Sequence, residues 1–355
     1  MRVGLANFDR ITIKIYKDNT ARLEALKAGE FDLMRVNSAG DWARRLTGRR
    51  FASGELVKGA FENKLPSGFQ SFFLNTRREQ LKDVRVREAL GLAYDFEWMS
   101  RQMFYGAYQR VHGLFGNTAC ETRGEPSAEE LALLKPYEAS LPPGTLGPMA
   151  QPPRTDGPDG LRGNLRRAQK LLADAGWTVK DGALRNAKGE PMVLEYLDSG
   201  DSARLISSWS RNLEKLGITL KLHNVDFALY QQRQDKFDFD IITLNVPGTH
   251  NPGQDYAELF GSASADQEGG FNFPGVKSKA VDAIIARMAA AKSEQDMLPA
   301  CHALERIIVH GHYLIPQYYS GAHRMVYDAW RLALPGQIPA YSPGELWAVY
   351  AWWAK

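Results

Sequence analysis

Asp238 to Tyr256 reads DFDIITLNVPGTHNPGQDY. The first half is a strand in pattern. The second half is rich in Gly, Pro and Asn and carries Thr249, His250, Asn251 and Asp255. A buried strand that runs into a polar, turn-rich loop is where an open α/β sheet usually binds its ligand.

The residues just upstream supply such a sheet. Met192 to Leu197 has strand character, Ala203 to Leu216 helix, Ile218 to Leu222 strand, Asp226 to Gln234 helix, and Phe239 to Asn245 strand again. That alternation implies a mostly parallel sheet with right-handed crossovers. The loops leaving its carboxyl ends are Asp198 to Ser202 and Val246 to Tyr256, so the quoted stretch sits at a cleft mouth.

Further toward the N-terminus, Ile11, Ile13 and Ile15 alternate with polar residues, which predicts a strand with one buried face. Asp18 or Asn19 caps a short helix that Gly29 ends. Phe31 to Val36, Leu56 to Lys58 and Phe69 to Asn75 are further strand candidates. Asp83 opens a helical pair with Val86, Leu90 and Ala93 on one face. Residues 116–160 read as a long surface excursion, with one helix capped by Ser127 and Glu130. Asn164 is the expected cap of LRRAQKLLADAGW, and Asn186 to Gly189 the expected hairpin turn. Downstream, Lys279 to Ala291 and Glu294 to His310 are long amphipathic helices. Tyr313 to Tyr319 is an apolar strand interrupted by Pro316, which places it at an edge or a domain crossing.

Bulk composition narrows the function classes. A chain of 355 residues, 44% hydrophobic and 24% charged, is globular in composition and long enough for two lobes. With 44 basic against 41 acidic residues there is no electrostatic case for a nucleic-acid partner. Two cysteines, Cys120 and Cys301, exclude a disulfide scaffold and a four-cysteine zinc site, and leave open one bridge or two free thiols. No apolar run reaches the roughly 18 residues of a membrane span. The first residues lack a basic segment followed by an apolar run, so no signal peptide is read there.

Motifs for common enzyme and cofactor chemistries are absent: no P-loop, GxGxxG, HExxH, CxxC or nucleophile elbow occurs. No cofactor is expected. His310 and His312 are a possible metal pair, but two ligands without a third do not make a zinc site, so no metal is expected. The plainer reading is a cationic histidine beside the last carbonyls of a helix. Asp238 and Asp240 point to one face of a strand, as an acid/base pair or as its solvent side. Trp347, Trp352 and Trp353 offer a stacking platform or a packing seam between lobes. In the quoted loop, Asp255 suits a cation, and His250, Asn251 and loop amides suit carbonyls or carboxylates. The alternative is a simple turn through Asn251, Pro252 and Gly253, with Asp255 capping the next helix.

Several separated blocks resemble one family. KDNTARLEALKAGEFDL, LNTRREQLKDVRVREALGLAYDFEWM, RRAQKLLADAGW, NLEKLGITLKL and FDFDIITLN are similar to the extracellular solute-binding proteins of the oligopeptide/dipeptide ABC-transporter class, known as family 5. The blocks FDRITIKIYKDNTARLEALKAGEFD and NTRR…DVRVREAL resemble the branch that serves microcin C and related peptides. The resemblance implies an α/β, periplasmic-binding-protein-like type II fold of mixed sheets with flanking helices. It implies a periplasmic monomer that closes two lobes on a peptide or peptide-like ligand and delivers it to ABC-transporter permease subunits.

The segment after the DFD strand contributes ligand contacts in such proteins. The expected ligand-binding residues are accordingly Asn245, Val246, Gly248, Thr249, His250, Asn251 and Asp255. Oligopeptide relatives carry an aspartate there for the ligand's amino terminus. Thr249 stands near that place here, with His250 next, which implies a different end-recognition chemistry. Family members also have a signal peptide, most of the first lobe and a smaller domain ahead of the equivalent of Ile11. The expectation is an N-terminally truncated chain: residues 1–74 and 325–355 as an incomplete first lobe, and 75–324 as the second, ligand-binding lobe. The alternative is an enzyme using Asp238, Asp240 or His250 in the same cleft.

Overall fold

The structure is a computed structural model and describes residues 4–200, 202–336, 340–341 and 344–355. The chain divides into two compact units. One comprises Met1–Leu65, Ser100–Gln109 and Ser320–Lys355; the other comprises Pro66–Met99 and Arg110–Tyr319.

In the first unit, Ile11, Ile13 and Ile15 form no strand. They lie in an irregular extended segment and are 52, 83 and 91% exposed. Alternation specifies an apolar face, but a strand also needs a neighbour to take its backbone hydrogen bonds. Helix α1 (Asn19–Ala28) follows. The Asp18 side chain accepts the Ala21 N–H at 2.7 Å, and Gly29 ends the helix in the left-handed region at φ 82°. Leu23 and Leu26, one turn apart, are the buried face. Strands β1 (Leu33–Arg35) and β2 (Leu56–Glu62) come next in this unit.

The second unit starts with β3 (Phe69–Leu74) and α2 (Val84–Leu92), whose N-cap Asp83 accepts the Arg85 N–H at 2.9 Å. Helix α3 (Ala128–Leu134) has the reciprocal Ser127–Glu130 capping box. Helix α4 runs Gly160–Asp174 with Asp159 at its N-cap. Asn164 is therefore inside the helix; it is buried and donates to the Arg154 carbonyl at 2.9 Å. Its cap-forming side chain is used to tie a preceding loop instead. The small hairpin pairs Thr178–Lys180 with Ala183–Arg185 and so turns at Asp181-Gly182. Asn186 to Gly189 makes a second turn, leading to the Arg185–Pro191 bridge.

Strand β4 (Val193–Asp198), α5 (Ala203–Glu214), β5 (Thr219–Asn224), α6 (Phe227–Asp235) and β6 (Ile241–Val246) follow in the expected order. After them come α7 (Asp255–Phe260), α8 (Lys279–Ala289), α9 (Glu294–His310) and the short edge strand β7 (Leu314–Pro316). The sheet order is β7-β3-β6-β4-β5. β4 is parallel to both β5 and β6, whereas β3 is antiparallel to β6 and to β7. The sheet is thus mixed rather than mostly parallel, because its β3 and β7 come from outside the alternating run.

Helices cover both faces. Phe72 of β3 stacks on Trp209 of α5 at 4.4 Å and meets Tyr94 edge-on at 5.4 Å. Phe73, its neighbour on the opposite face, joins the large core with Ile284 and Ile285 of α8 and Leu304, Ile307 and Ile308 of α9. A period-2 strand feeding two helical layers accounts for this split.

The 116–160 excursion is not all surface. Cys120, Thr122, Leu134, Thr145 and Met149 are buried. Cys120 forms a disulfide with Cys301 of α9, with the Cα atoms 5.4 Å apart. Glu305, fully buried on the same helix, accepts the N–H groups of Leu114, Phe115 and Thr122 at 2.5, 3.1 and 2.7 Å. Gly113 is required beside it, since a Cβ there would lie 2.2 Å from Glu305 Oε1.

The first unit is completed by β8 (Ala322–Asp328) and α10 (Gly344–Ala351). β8 lies between β1 and β2, antiparallel to both. Trp347 and Trp352 are buried against Phe61, at 5.3 and 6.0 Å between ring centroids, and belong to this unit's own core. Buried in that core, these two rings offer no stacking platform, whereas Trp353 is 37% exposed. No helix among the described residues is long and apolar enough to cross a membrane.

Candidate functional site

The carboxyl ends of β4 and β6 lie at one end of the second unit's sheet, as the parallel pairing requires. β3 runs the other way, so its first residues reach the same end: Phe69 pairs with Val246 and Gln70 with Asn245. Asn245 is exposed and Val246 half-buried. Gly248 packs against the Pro66–Gly68 backbone; a Cβ on it would lie 2.6 Å from the Gly68 nitrogen.

Beyond it, the loop is organised by its own turns. Thr249 Oγ1 accepts the Asn251 N–H at 3.2 Å, and Asp255 Oδ1 accepts the Gly253 N–H at 2.8 Å. Asp255 begins α7 and lies one residue past its N-cap, Gln254. Asn245 and Val246 thus end strand β6, Thr249, His250, Asn251 and Asp255 share the loop that follows, and the His250 and Asn251 side chains are exposed.

A second polar row lies beside Asn245. Thr243, two residues back on the same face of β6, accepts from the Tyr196 hydroxyl at 3.0 Å and from Gln317 Nε2 at 3.0 Å. Gln317 in turn accepts from Gln70 Nε2 at 2.8 Å. The neighbouring Asp198 carboxylate accepts both the Ser202 N–H and its hydroxyl, each at 3.1 Å; Asp201 in this loop lies outside the described residues. Burial raises the Tyr196 hydroxyl, so it stays a neutral donor. Sequence reasoning missed Gln70, Thr243, Tyr196 and Gln317. The available signal was a polar residue interrupting each apolar run, at Thr243 in IITLN and at Gln317 in LIPQYY.

Asp238 and Asp240 are elsewhere. They precede β6 at its amino end and both bind Arg78, at 2.8 and 3.1 Å. Arg233 links Asp238 at 3.0 Å to Glu195 at 2.6 Å. Burial pushes the Asp240 carboxyl up; at Asp238 burial also acts upward, but Arg78 and Arg233 together outweigh it and hold the group low. The whole of β6, about 20 Å of extended chain, separates this ion network from His250. A single catalytic centre combining them is ruled out by that distance.

His310 and His312 do not form a cationic helix end either. Burial pulls both imidazoles down, His312 to about 4, and the nearby Arg306 and Arg87 charges add to the effect. Among the described residues no group of three or more His, Cys, Asp or Glu side chains is placed to hold a metal ion.

Comparison with known proteins gives the family. Residues 2–268 match the family described as bacterial extracellular solute-binding proteins, family 5, middle region. The peptidoglycan-binding protein YepA of Agrobacterium fabrum is 32% identical over 330 residues, covering 90% of this chain and 54% of that protein. The probable peptide-binding protein YejA of the same organism is 32% identical over 359 residues, covering 100% of this chain and 58% of its own length. The chain thus spans little more than half the length of these curated relatives. The oligopeptide-binding protein AppA of Bacillus subtilis, solved with a nonapeptide, shares the fold at TM-score 0.69 and 19% identity, over 96% of this chain and 60% of AppA. These are binding proteins rather than enzymes. A mixed α/β sheet with a turn-rich loop at its carboxyl edge, matched over residues 2–268, gives the conclusion: the chain belongs to the bacterial extracellular solute-binding proteins, family 5.

Proposed function

We propose that the protein is the substrate-binding component of an ABC importer for peptides or peptide-like compounds. The observation that supports this most directly is the exposed, turn-organised loop after β6, in a chain of this family. Its ligand contacts would come from Asn245, Val246, Gly248, Thr249, His250, Asn251 and Asp255, carried by the 66–99 and 110–319 unit. Asp255 takes a cationic group; His250, Asn251 and the loop amides take carbonyls or carboxylates. The names of YejA and AppA support a peptide as ligand class. The sequence blocks shared with the microcin C branch support modified peptides of that kind. The protein would act as a monomer outside the cytoplasmic membrane and hand its ligand to the permease subunits.

The test is native mass spectrometry of the protein purified from its host, followed by titration of the peptides found. Co-purified peptides are expected, and His250→Ala should weaken their binding roughly fivefold, the worth of one hydrogen bond of about 1 kcal/mol. Unchanged affinity in that variant removes the loop from the site.

A further inference from the structure

The second unit holds a cavity of about 350 Å³ lined by Leu161, Arg162, Leu165, Arg166, Gln169 and Lys215. The first five residues lie on α4, and Lys215 directly follows α5. Helix α5 leads from the carboxyl end of β4 back to the amino end of β5. Lys215 therefore stands toward the amino ends of these strands, whereas the candidate ligand loop follows their carboxyl ends. The two are separate places on one unit.

The charge around this cavity is one-sided. Helix α4 carries Arg162, Arg166, Arg167 and Lys170 against a single acid, Asp174, in a chain whose 44 basic and 41 acidic residues nearly balance. Arg162 has no acidic partner among the described residues. Arg166 meets only Asp159, at 3.4 Å, with both side chains largely in solvent. Lys215 donates to Asn212 at 3.0 Å and sits at a helix carboxyl end, which suits a cation. The two arginines have no such local reason. Arg162 lies in the first turn of α4, where the helix dipole disfavours positive charge. Arg162 and Arg166 are also four residues apart, a spacing at which like charges weaken a helix.

Leu161 and Leu165 add aliphatic carbon to the same cavity. They are half-buried and lie beside the buried face of α4, which is made by Asn164, Ala168 and Leu172. A guanidinium fork matches the oxygens of a phosphate, and an ammonium adds a point charge. A free inorganic anion would leave the leucines unused, and an acidic peptide would need a longer cationic track than one cavity. A phosphate joined to an apolar body uses both linings.

We propose that this cavity takes the phosphate of an anionic phospholipid headgroup, with Arg162, Arg166 and Lys215 around the phosphate and Leu161 and Leu165 against the acylglycerol carbons. The inference goes beyond the peptide reading and does not depend on it: it gives the second unit a contact with a membrane surface.

The test is co-sedimentation of the full chain with three kinds of vesicle: phosphatidylcholine alone, phosphatidylcholine with phosphatidylglycerol, and phosphatidylcholine with oleate at the same surface charge. Inorganic phosphate and glycerol 3-phosphate are titrated separately by calorimetry, and melting is recorded for every variant. Wild type should favour the phosphatidylglycerol vesicles over phosphatidylcholine by at least about a hundredfold, from three cations each worth about fivefold at an anionic surface. The Arg162→Gln, Arg166→Gln, Lys215→Gln triple variant should lose that preference while melting as wild type does. If it melts early, the single variants carry the test, each with a loss of about fivefold. A control triple of exposed lysines outside the cavity, Lys135→Gln, Lys236→Gln and Lys292→Gln, should change binding by less than about threefold. Equal binding to phosphatidylcholine and phosphatidylglycerol vesicles overturns the proposal. So does an equal loss in the control triple, or equal binding to the oleate vesicles, since either marks attraction to surface charge alone. Binding of inorganic phosphate or glycerol 3-phosphate as tight as that of the vesicles overturns it in favour of a soluble phosphate ligand. None of these outcomes bears on peptide affinity, which is measured apart.

Discussion

Arg306 Nε donates to Glu130 Oε2 at 2.5 Å, joining α9 to the capped start of α3 with both side chains almost wholly buried. His302, one turn earlier on α9, reaches the other oxygen of Glu130 at 3.4 Å. Burial by itself raises the Glu130 carboxyl, but His302 and Arg306 outweigh it and hold the group at about 2. The same contact holds His302 above its ordinary value against the opposing effect of burial.

The pH consequence has two limbs of opposite sign. Glu130 has a depressed folded pKa, so its stabilisation is present above the unfolded value of about 4.3 and is lost as pH falls toward 2. His302 has a raised folded pKa, so its stabilisation is present below about 6.5 and is lost as pH rises through the folded value. Melting temperature measured from pH 2 to 9 should fall on both sides, and His302→Ala should abolish the alkaline limb while leaving a weaker acid limb carried by Arg306. Glu130→Ala should cost about 3–5 kcal/mol in urea unfolding, because it leaves the buried Arg306 charge uncompensated.

Removing the Cys120–Cys301 bridge should lower stability without altering the fold. The bridge closes residues separated by 181 positions, for which chain entropy gives about 5 kcal/mol as an upper figure. Melting with and without dithiothreitol, compared with a Cys120→Ala, Cys301→Ala double variant, measures it. Identical curves in all three conditions would show that the crosslink contributes nothing.

Gly113→Ala should destabilise by about 2–3 kcal/mol, since the added Cβ forces the Glu305 carboxylate off its three amide donors. Restoring space with Glu305→Asp in the same chain should recover part of the loss. Urea unfolding of the two single variants and the double variant closes that cycle.

Asp240→Asn should separate folding from binding. The substitution breaks the contact with Arg78 at the amino end of β6 and should cost about 1 kcal/mol of stability. Peptide affinity should be unchanged, because the candidate loop follows the opposite end of that strand. A loss of affinity larger than about threefold would place Asp240 in the site.

How much of this was readable in the chain depends on whether the signal is local. The run from β4 to β6 was legible because each element carries its own period and each helix its own cap, as at Asp226, which accepts the Ala228 and Leu229 N–H groups. Ile11, Ile13 and Ile15 misled because alternation states which face is apolar but not what covers it. Asn164 misled because a capping side chain acts wherever a free backbone group is near, and here that group was the Arg154 carbonyl. The loop of Thr249 and His250 was found from turn chemistry. Gln70, Thr243, Tyr196 and Gln317 were not found, because their hydrogen-bonded row is assembled from segments distant in sequence.

Helix α9 holds the 114–150 stretch at several points: Cys301 through sulfur, Glu305 through three amides, Arg306 through Glu130 and two carbonyls, and His302 through the Ala119 carbonyl. A segment suspended this way has little independent freedom to open. The amide protons of Leu114, Phe115 and Thr122 should exchange with deuterium at the rate of the middle of α9, as one cooperative unit, despite belonging to no helix or strand.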